Sequence, residues 1–179
     1  MLSLQAAPDT APLLLLAVGN ASRGDDALGP LLAERIEALR LPGLEVQTEY
    51  QLQIENALDL LGRRAVLFVD ASVSVAAPYA LTELRPARDA SFSTHAQSPA
   101  AVLQSYFDTV GQAPPPSWQL AIRGEAFELG EPLSAAAEAN LIESVNAARE
   151  WVGRALENLR AESGSHQSGT PIDVGLVKV

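Results

Sequence analysis

LLLLAVGNASRGDDALGPLLAERIEAL, residues 13–39, is where the fold declares itself. The run 13–18 has no polar position, the pattern of a strand buried on both faces. After it, Leu28, Leu31, Leu32, Ile36 and Leu39 recur at helical spacing, and Pro42-Gly43 is expected to stop that helix. Between strand and helix lies a glycine-containing polar loop, GNASRGDDALG (19–29). Strand, loop and helix are the first half of a β-α-β unit.

The alternation continues outward. A short strand near 44–48, a helix carrying Ile54, Ala57, Leu58 and Leu61, and the run AVLFVD (65–70) complete two β-α-β steps. Residues 79–84 alternate and add a strand. Ser98-Pro99 reads as an N-cap with proline at the first helical position, opening a helix to about Asp108. WQLAIR (118–123) returns as a strand. From Ser134 onward Leu141, Val145, Ala148, Val152, Leu156 and Leu159 draw one apolar stripe, with Glu150 and Arg154 paired outside it, the mark of a long closing helix. The expected fold is α/β: a three-layer sandwich with a twisted, mostly parallel sheet of about five strands flanked by helices. Residues 1–162 form the expected single domain, and 163–179, rich in Ser and Gly and without helical period, form an expected loosely packed tail.

Composition narrows the function. The chain has 179 residues, the size of one domain, with 47% hydrophobic and 19% charged residues. Its longest purely apolar run falls far short of the roughly 20 residues that span a bilayer, so no membrane association is expected. The first dozen residues lack the basic start of a secretory signal, and a cytoplasmic address is expected. Twelve Lys and Arg against 22 Asp and Glu give a net charge of −10, which repels phosphate backbones, so no nucleic-acid partner is expected. The absence of cysteine excludes disulfides, thiol nucleophiles and Cys-based zinc sites. Only two histidines exist, His95 and His166, and His166 sits in the aperiodic tail. Any metal site must therefore be mostly carboxylate.

In a parallel sheet, functional groups gather at the carboxyl ends of the strands. Three loops fall there: 19–29 with Asp25 and Asp26, VDASVS (69–74) with Asp70, and RDASFSTHAQSP (88–99) with His95. Each residue has an ordinary reading when taken singly. A carboxylate at a helix start caps backbone N–H groups, a strand-end Asp caps the next turn, and a histidine in a Ser/Thr-rich loop is a surface residue. Two adjacent carboxylates exceed what one cap needs, so one of the pair is free for another task; Asp25 is taken as the structural member. Asp26, Asp70 and His95 then make an O,O,N donor set suited to a divalent ion with positions left for water or substrate. Other chemistries lack their motifs: there is no HExxH helix, no GxSxG elbow and no GxxxxGK[ST] loop, and the glycine loop lacks GxGxxG.

AVGNASRGDDALG (17–29) resembles the N-terminal signature of the [NiFe]-hydrogenase maturation endopeptidases, G-[IV]-G-N-x4-D-[DE]-G-x-G. FVDASVS (68–74) resembles the family's second acidic block, STHAQSPAAVL (93–103) its Ser-x-His segment, and RGEAFELGEPLSAAAEANL (123–141) the region leading into the last helix. Ala17 and Ala27 replace two signature glycines, and EYQLQIEN (49–56) stands where many relatives carry a glycine-rich turn, a form similar to the subgroup serving cytoplasmic soluble hydrogenases. The resemblance implies a protease that removes a C-terminal extension from the hydrogenase large-subunit precursor after nickel insertion. It carries the family's catalytic and nickel-recognising positions onto Asp26, Asp70 and His95, with the nickel borne by the precursor. The alternatives are a non-catalytic nickel- or precursor-binding chaperone of the same fold, and a nucleotide-binding α/β domain, which the missing GxGxxG disfavours.

Overall fold

In the computed structural model, residues 7, 9–88 and 97–164 are described. Five strands, β1 (Leu13–Val18), β2 (Leu44–Glu49), β3 (Ala65–Ser72), β4 (Tyr79–Leu84) and β5 (Ser117–Arg123), form one sheet in the order β2-β1-β3-β5-β4. β1 pairs in parallel with β2 and β3, β3 pairs in parallel with β5, and β4 runs antiparallel along β5 at one edge. The register sets Leu13 beside Leu44 and Ala65, and Asp70 beside Ala121.

Three helices cover the sheet: α1 (Leu28–Glu37), α2 (Pro99–Val110) and α3 (Ala135–Gly164). Leu13, Leu15 and Ala17 of β1 pack with Leu32 and Ile36 of α1 and with Leu141, Ala148 and Val152 of α3. Leu14 and Leu16 face the other way, with Val66 and Phe68, onto Val102, Leu103 and Tyr106 of α2. Both faces of β1 are thus core, which is why its sequence shows no polar alternation. The result is the expected three-layer α/β sandwich. Trp118 of β5 and Trp151 of α3 meet edge to face at 5.7 Å between ring centres, tying the closing helix to the sheet.

Helix boundaries differ from the sequence reading in three places. α1 ends at Glu37, because the amides of Leu39 and Arg40 bond back three residues to Ile36 and Glu37 and Arg40 takes a left-handed φ of 48°. Leu39 is therefore exposed, outside the helical stripe. The expected helix over 54–61 is a 3-10 segment, Ile54–Leu60. Its three-residue turn brings Ala57 and Leu60 inward and leaves Ile54 and Leu58 55% and 45% exposed. α3 runs two residues past the expected domain boundary, with Glu162 paired to Arg64 and the Ser163 hydroxyl donating to the Leu159 carbonyl. The rest of the tail, with His166, lies outside the described residues. Elsewhere the expected caps form: the Ser98 hydroxyl accepts from the Ala101 amide at 3.2 Å, with Pro99 opening α2, and Arg154 reaches Glu150 at 3.3 Å. No helix among the described residues is long and apolar enough to cross a membrane.

Candidate functional site

The chain leaves β1 to form β2 on one side and returns to form β3 on the other, so β1 and β3 flank the point where the strand order reverses. Loops diverge there, and the crevice they leave is where open α/β sheets take ligands. Asp26 lies in the 3-10 turn Gly24–Ala27 that follows β1, and Asp70 lies near the end of β3. Asp70 follows Val66 and Phe68 at two-residue steps, which directs it to the α2 side of the sheet. It is partly buried. Burial pushes its carboxyl up to about 6, the negative charge of Asp26 adds to the rise, and the Ala71 amide opposes it. Burial is the main cause, and the Asp26 charge is near enough to add to it.

Asp26 is held by its own loop. The Asn20 amide donates to its Oδ2 at 3.1 Å, the Asn20 Oδ1 accepts from the Ser22 amide at 2.9 Å, and the Asn20 Nδ2 donates to the Tyr50 hydroxyl. The loop can take this shape because Gly19 has a φ of +142° and no Cβ; one would fall 2.1 Å from the Asp26 carbonyl oxygen. Asn20 and Tyr50 had no assigned role in the sequence. An asparagine after a strand-end glycine is a turn former through its side chain, and that local signal marks Asn20, whereas nothing local marks Tyr50 as its partner.

Asp25 has a different task. It is fully buried, and its carboxylate accepts from the amides of Glu125 (2.7 Å), Ala126 (2.9 Å) and Ser134 (2.7 Å) and from the Ser134 hydroxyl (2.9 Å). Burial pushes its carboxyl up, but these donors outweigh burial and hold it below the ordinary carboxylate value. The expected structural role is therefore the one the contacts describe, although what it caps is the distant segment leading into α3, not its own helix. Further bonds join the same two loops: Asp25 amide to Ala126 carbonyl, Gly24 amide to Glu131 carbonyl, Gly130 amide to Ser22 carbonyl, and Arg23 Nε to Phe127 carbonyl. The loop carrying Asp26 is thereby stitched to residues 125–134.

His95 lies in residues 89–96, outside the described residues. On one side of that segment the Ala87 amide donates to the Ala100 carbonyl at 3.1 Å, and on the other the Gln97 amide donates to the Leu52 carbonyl at 2.9 Å. Leu52 belongs to the loop that leaves the carboxyl end of β2. Among the described residues no group of three His, Cys, Asp or Glu forms a metal cluster. Asp26 and Asp70 thus lie on loops at the same edge of the sheet, with the Asp26 charge felt at Asp70, and the described chain resumes after His95 beside the loop leaving β2.

No protein-family model and no curated protein matches the sequence. Solved structures do match in fold. HycI, a [NiFe] hydrogenase maturation protease from Thermococcus kodakarensis, aligns with a TM-score of 0.59 at 20% identity over 80% of this chain and 93% of its own. The hydrogenase-maturating endopeptidase HybD of Escherichia coli gives 0.59 at 22% identity over 76% and 88% of the two chains. An endopeptidase from Escherichia coli, solved in solution, gives 0.59 at 25% identity with the same coverage. The likeness is one of fold: a three-layer α/β sandwich. Within that class, the chain has the fold of the hydrogenase maturation proteases.

Proposed function

We propose that this protein is a cytoplasmic endopeptidase that removes the C-terminal extension of a [NiFe]-hydrogenase large-subunit precursor after nickel has been inserted. Asp26, Asp70 and His95 are the residues that recognise the nickel, which arrives in the substrate. The observation that carries the reading is the fold itself, that of the hydrogenase maturation proteases, with Asp26 and Asp70 at the carboxyl ends of the two strands that flank its ligand-binding crevice. Carboxylates on two loops of one crevice are a natural seat for a divalent cation, and carboxylate oxygens with one imidazole suit nickel without enclosing it. His95 is two residues from Gln97, a chain reach of about 7 Å, and Gln97 is anchored beside the loop leaving β2. That anchoring supports a third ligand at the same edge.

An open O,O,N set holds a free ion weakly, so an ion already seated in the precursor makes cleavage conditional on correct loading. A cation held there would polarise the peptide carbonyl or acidify a water bound to it; in the alternative, Asp26 would serve as the base and the metal would act mainly as a recognition tag.

The test is processing of nickel-loaded and nickel-free precursor by wild type and His95→Ala, with circular dichroism on both proteins. The loaded precursor should be shortened and the nickel-free one left intact with enzyme in excess. His95→Ala should lose at least about 100-fold in rate, a scale reached even when groups behind metal ligands are removed, while keeping its fold. Equal cleavage of both precursors would refute nickel recognition. Binding of the loaded precursor without shortening would favour a chaperone of the same fold.

A further inference from the structure

Tyr50 is the first residue after β2, on the carboxyl edge that holds Asp26 and Asp70. Its side chain is 68% exposed, yet it is not free to swing, because its hydroxyl accepts a hydrogen bond from Asn20 Nδ2. The carboxamide of Asn20 is itself oriented by the Ser22 amide on Oδ1, and the Asn20 backbone amide holds Asp26 Oδ2. The Gly19 amide donates to the Glu49 carbonyl at 3.1 Å, locking the two loops side by side. An aromatic ring fixed in the open gains nothing from burial, and such rings are characteristic of surfaces that bind another chain. A phenol both donates and accepts. Here the acceptor side is taken by Asn20, and the hydroxyl hydrogen has no acceptor among the described residues.

We infer that Tyr50 binds the substrate polypeptide directly, donating its hydroxyl hydrogen to a main-chain carbonyl next to the Asp26–Asp70 pair. This rests on the endopeptidase reading above. A neutral carbonyl is the fitting acceptor: the protein carries a net charge of −10, which disfavours a carboxylate-bearing ligand at this edge. The same hydrogen-bonded chain that fixes Asp26 therefore fixes a contact for the peptide, so the reactive bond and the recognition group share one frame. Tyr50 sets affinity, and Asn20 is the positioning residue for both Tyr50 and Asp26.

The experiment compares wild type, Tyr50→Phe and Tyr50→Ala in steady-state cleavage of nickel-loaded precursor, with melting curves for each. Tyr50→Phe keeps the ring and deletes the donor, so KM should rise about fivefold, the usual size of one neutral hydrogen bond. Tyr50→Ala should raise KM by more than about tenfold. In both, kcat should change by less than about twofold. Melting temperatures should stay close to wild type, because the side chain is mostly exposed. An unchanged KM for Tyr50→Phe overturns the inference, and so does a loss confined to kcat, which would mean that Tyr50 acts only through Asn20 on Asp26. Failure of the wild type to shorten the precursor instead overturns the endopeptidase reading. Titration of precursor against wild type and Tyr50→Phe then still decides the contact: weaker binding by the variant supports it, and equal affinity overturns it.

Discussion

Asp25 and Asp26 are covalent neighbours whose carboxylates do opposite things. Asp25 satisfies four donors in a fully buried site. Asn in its place keeps one acceptor oxygen and turns a donor toward donors, so Asp25→Asn should cost about 3 kcal/mol, read as a lower melting temperature at pH 7. Asp70 is the reverse case, since its carboxyl is pushed from 3.8 to about 6. The folded protein then holds that proton more tightly than the unfolded chain does. Its contribution is fully present below about pH 4 and is lost as pH rises through 6. Asp70→Asn removes the charge, so the variant without metal should be more stable than wild type by about 1–3 kcal/mol at pH 8 and equal to it near pH 3.5. Urea melts at the two pH values check this, and identical stability at pH 8 would contradict the burial that raises the Asp70 carboxyl. The sequence showed one carboxylate more than a single cap at that helix start needs, and Asp25 is taken as the structural one. It carried no trace of the partners of Asp25, because Glu125 and Ser134 lie 100 and 109 residues away and nothing local specifies them.

At the scale of elements, periodicity located the five described strands, β1 and β3 as apolar runs and β4 by alternation. It failed at 54–61, where Ile54, Ala57, Leu58 and Leu61 fit an α-helical repeat but the chain takes a three-residue one that buries Ala57 and Leu60. The junction of β1 with α1 has a sharper requirement. A Cβ on Gly29 would sit 2.2 Å from the Val18 carbonyl oxygen, a backbone atom that cannot rotate away. Gly29→Ala should therefore cost about 3 kcal/mol or more. Gly153, inside α3, meets nothing within 4 Å, and Gly153→Ala should stabilise by about 0.5–1 kcal/mol through helix propensity. Opposite shifts in melting temperature for these two substitutions are the expected result, and a shift of the same sign in both would remove the close approach at Gly29 as a determinant of the fold.

Across the whole molecule, layer order and sheet content followed from strand-helix alternation, whereas the strand order β2-β1-β3-β5-β4 was not readable, because pairing of strands distant in sequence leaves no periodic signature. The core of the described body is closed by α3 through Trp151, Val152 and Ala155, with Leu159 packed against it. Truncation after Gly164 should accordingly leave the melting temperature within a few degrees of the full chain, and a collapse of folding would show that residues 165–179 contribute to that core. The stitching of residues 19–27 to residues 125–134 has a temporal consequence during synthesis. A chain emerging from the ribosome exposes Asp26 early, but the donors that seat Asp25 beside it are translated about a hundred residues later. No nascent fragment ending before Ser134 can set that loop, so the site matures only after the segment 125–134 has been made.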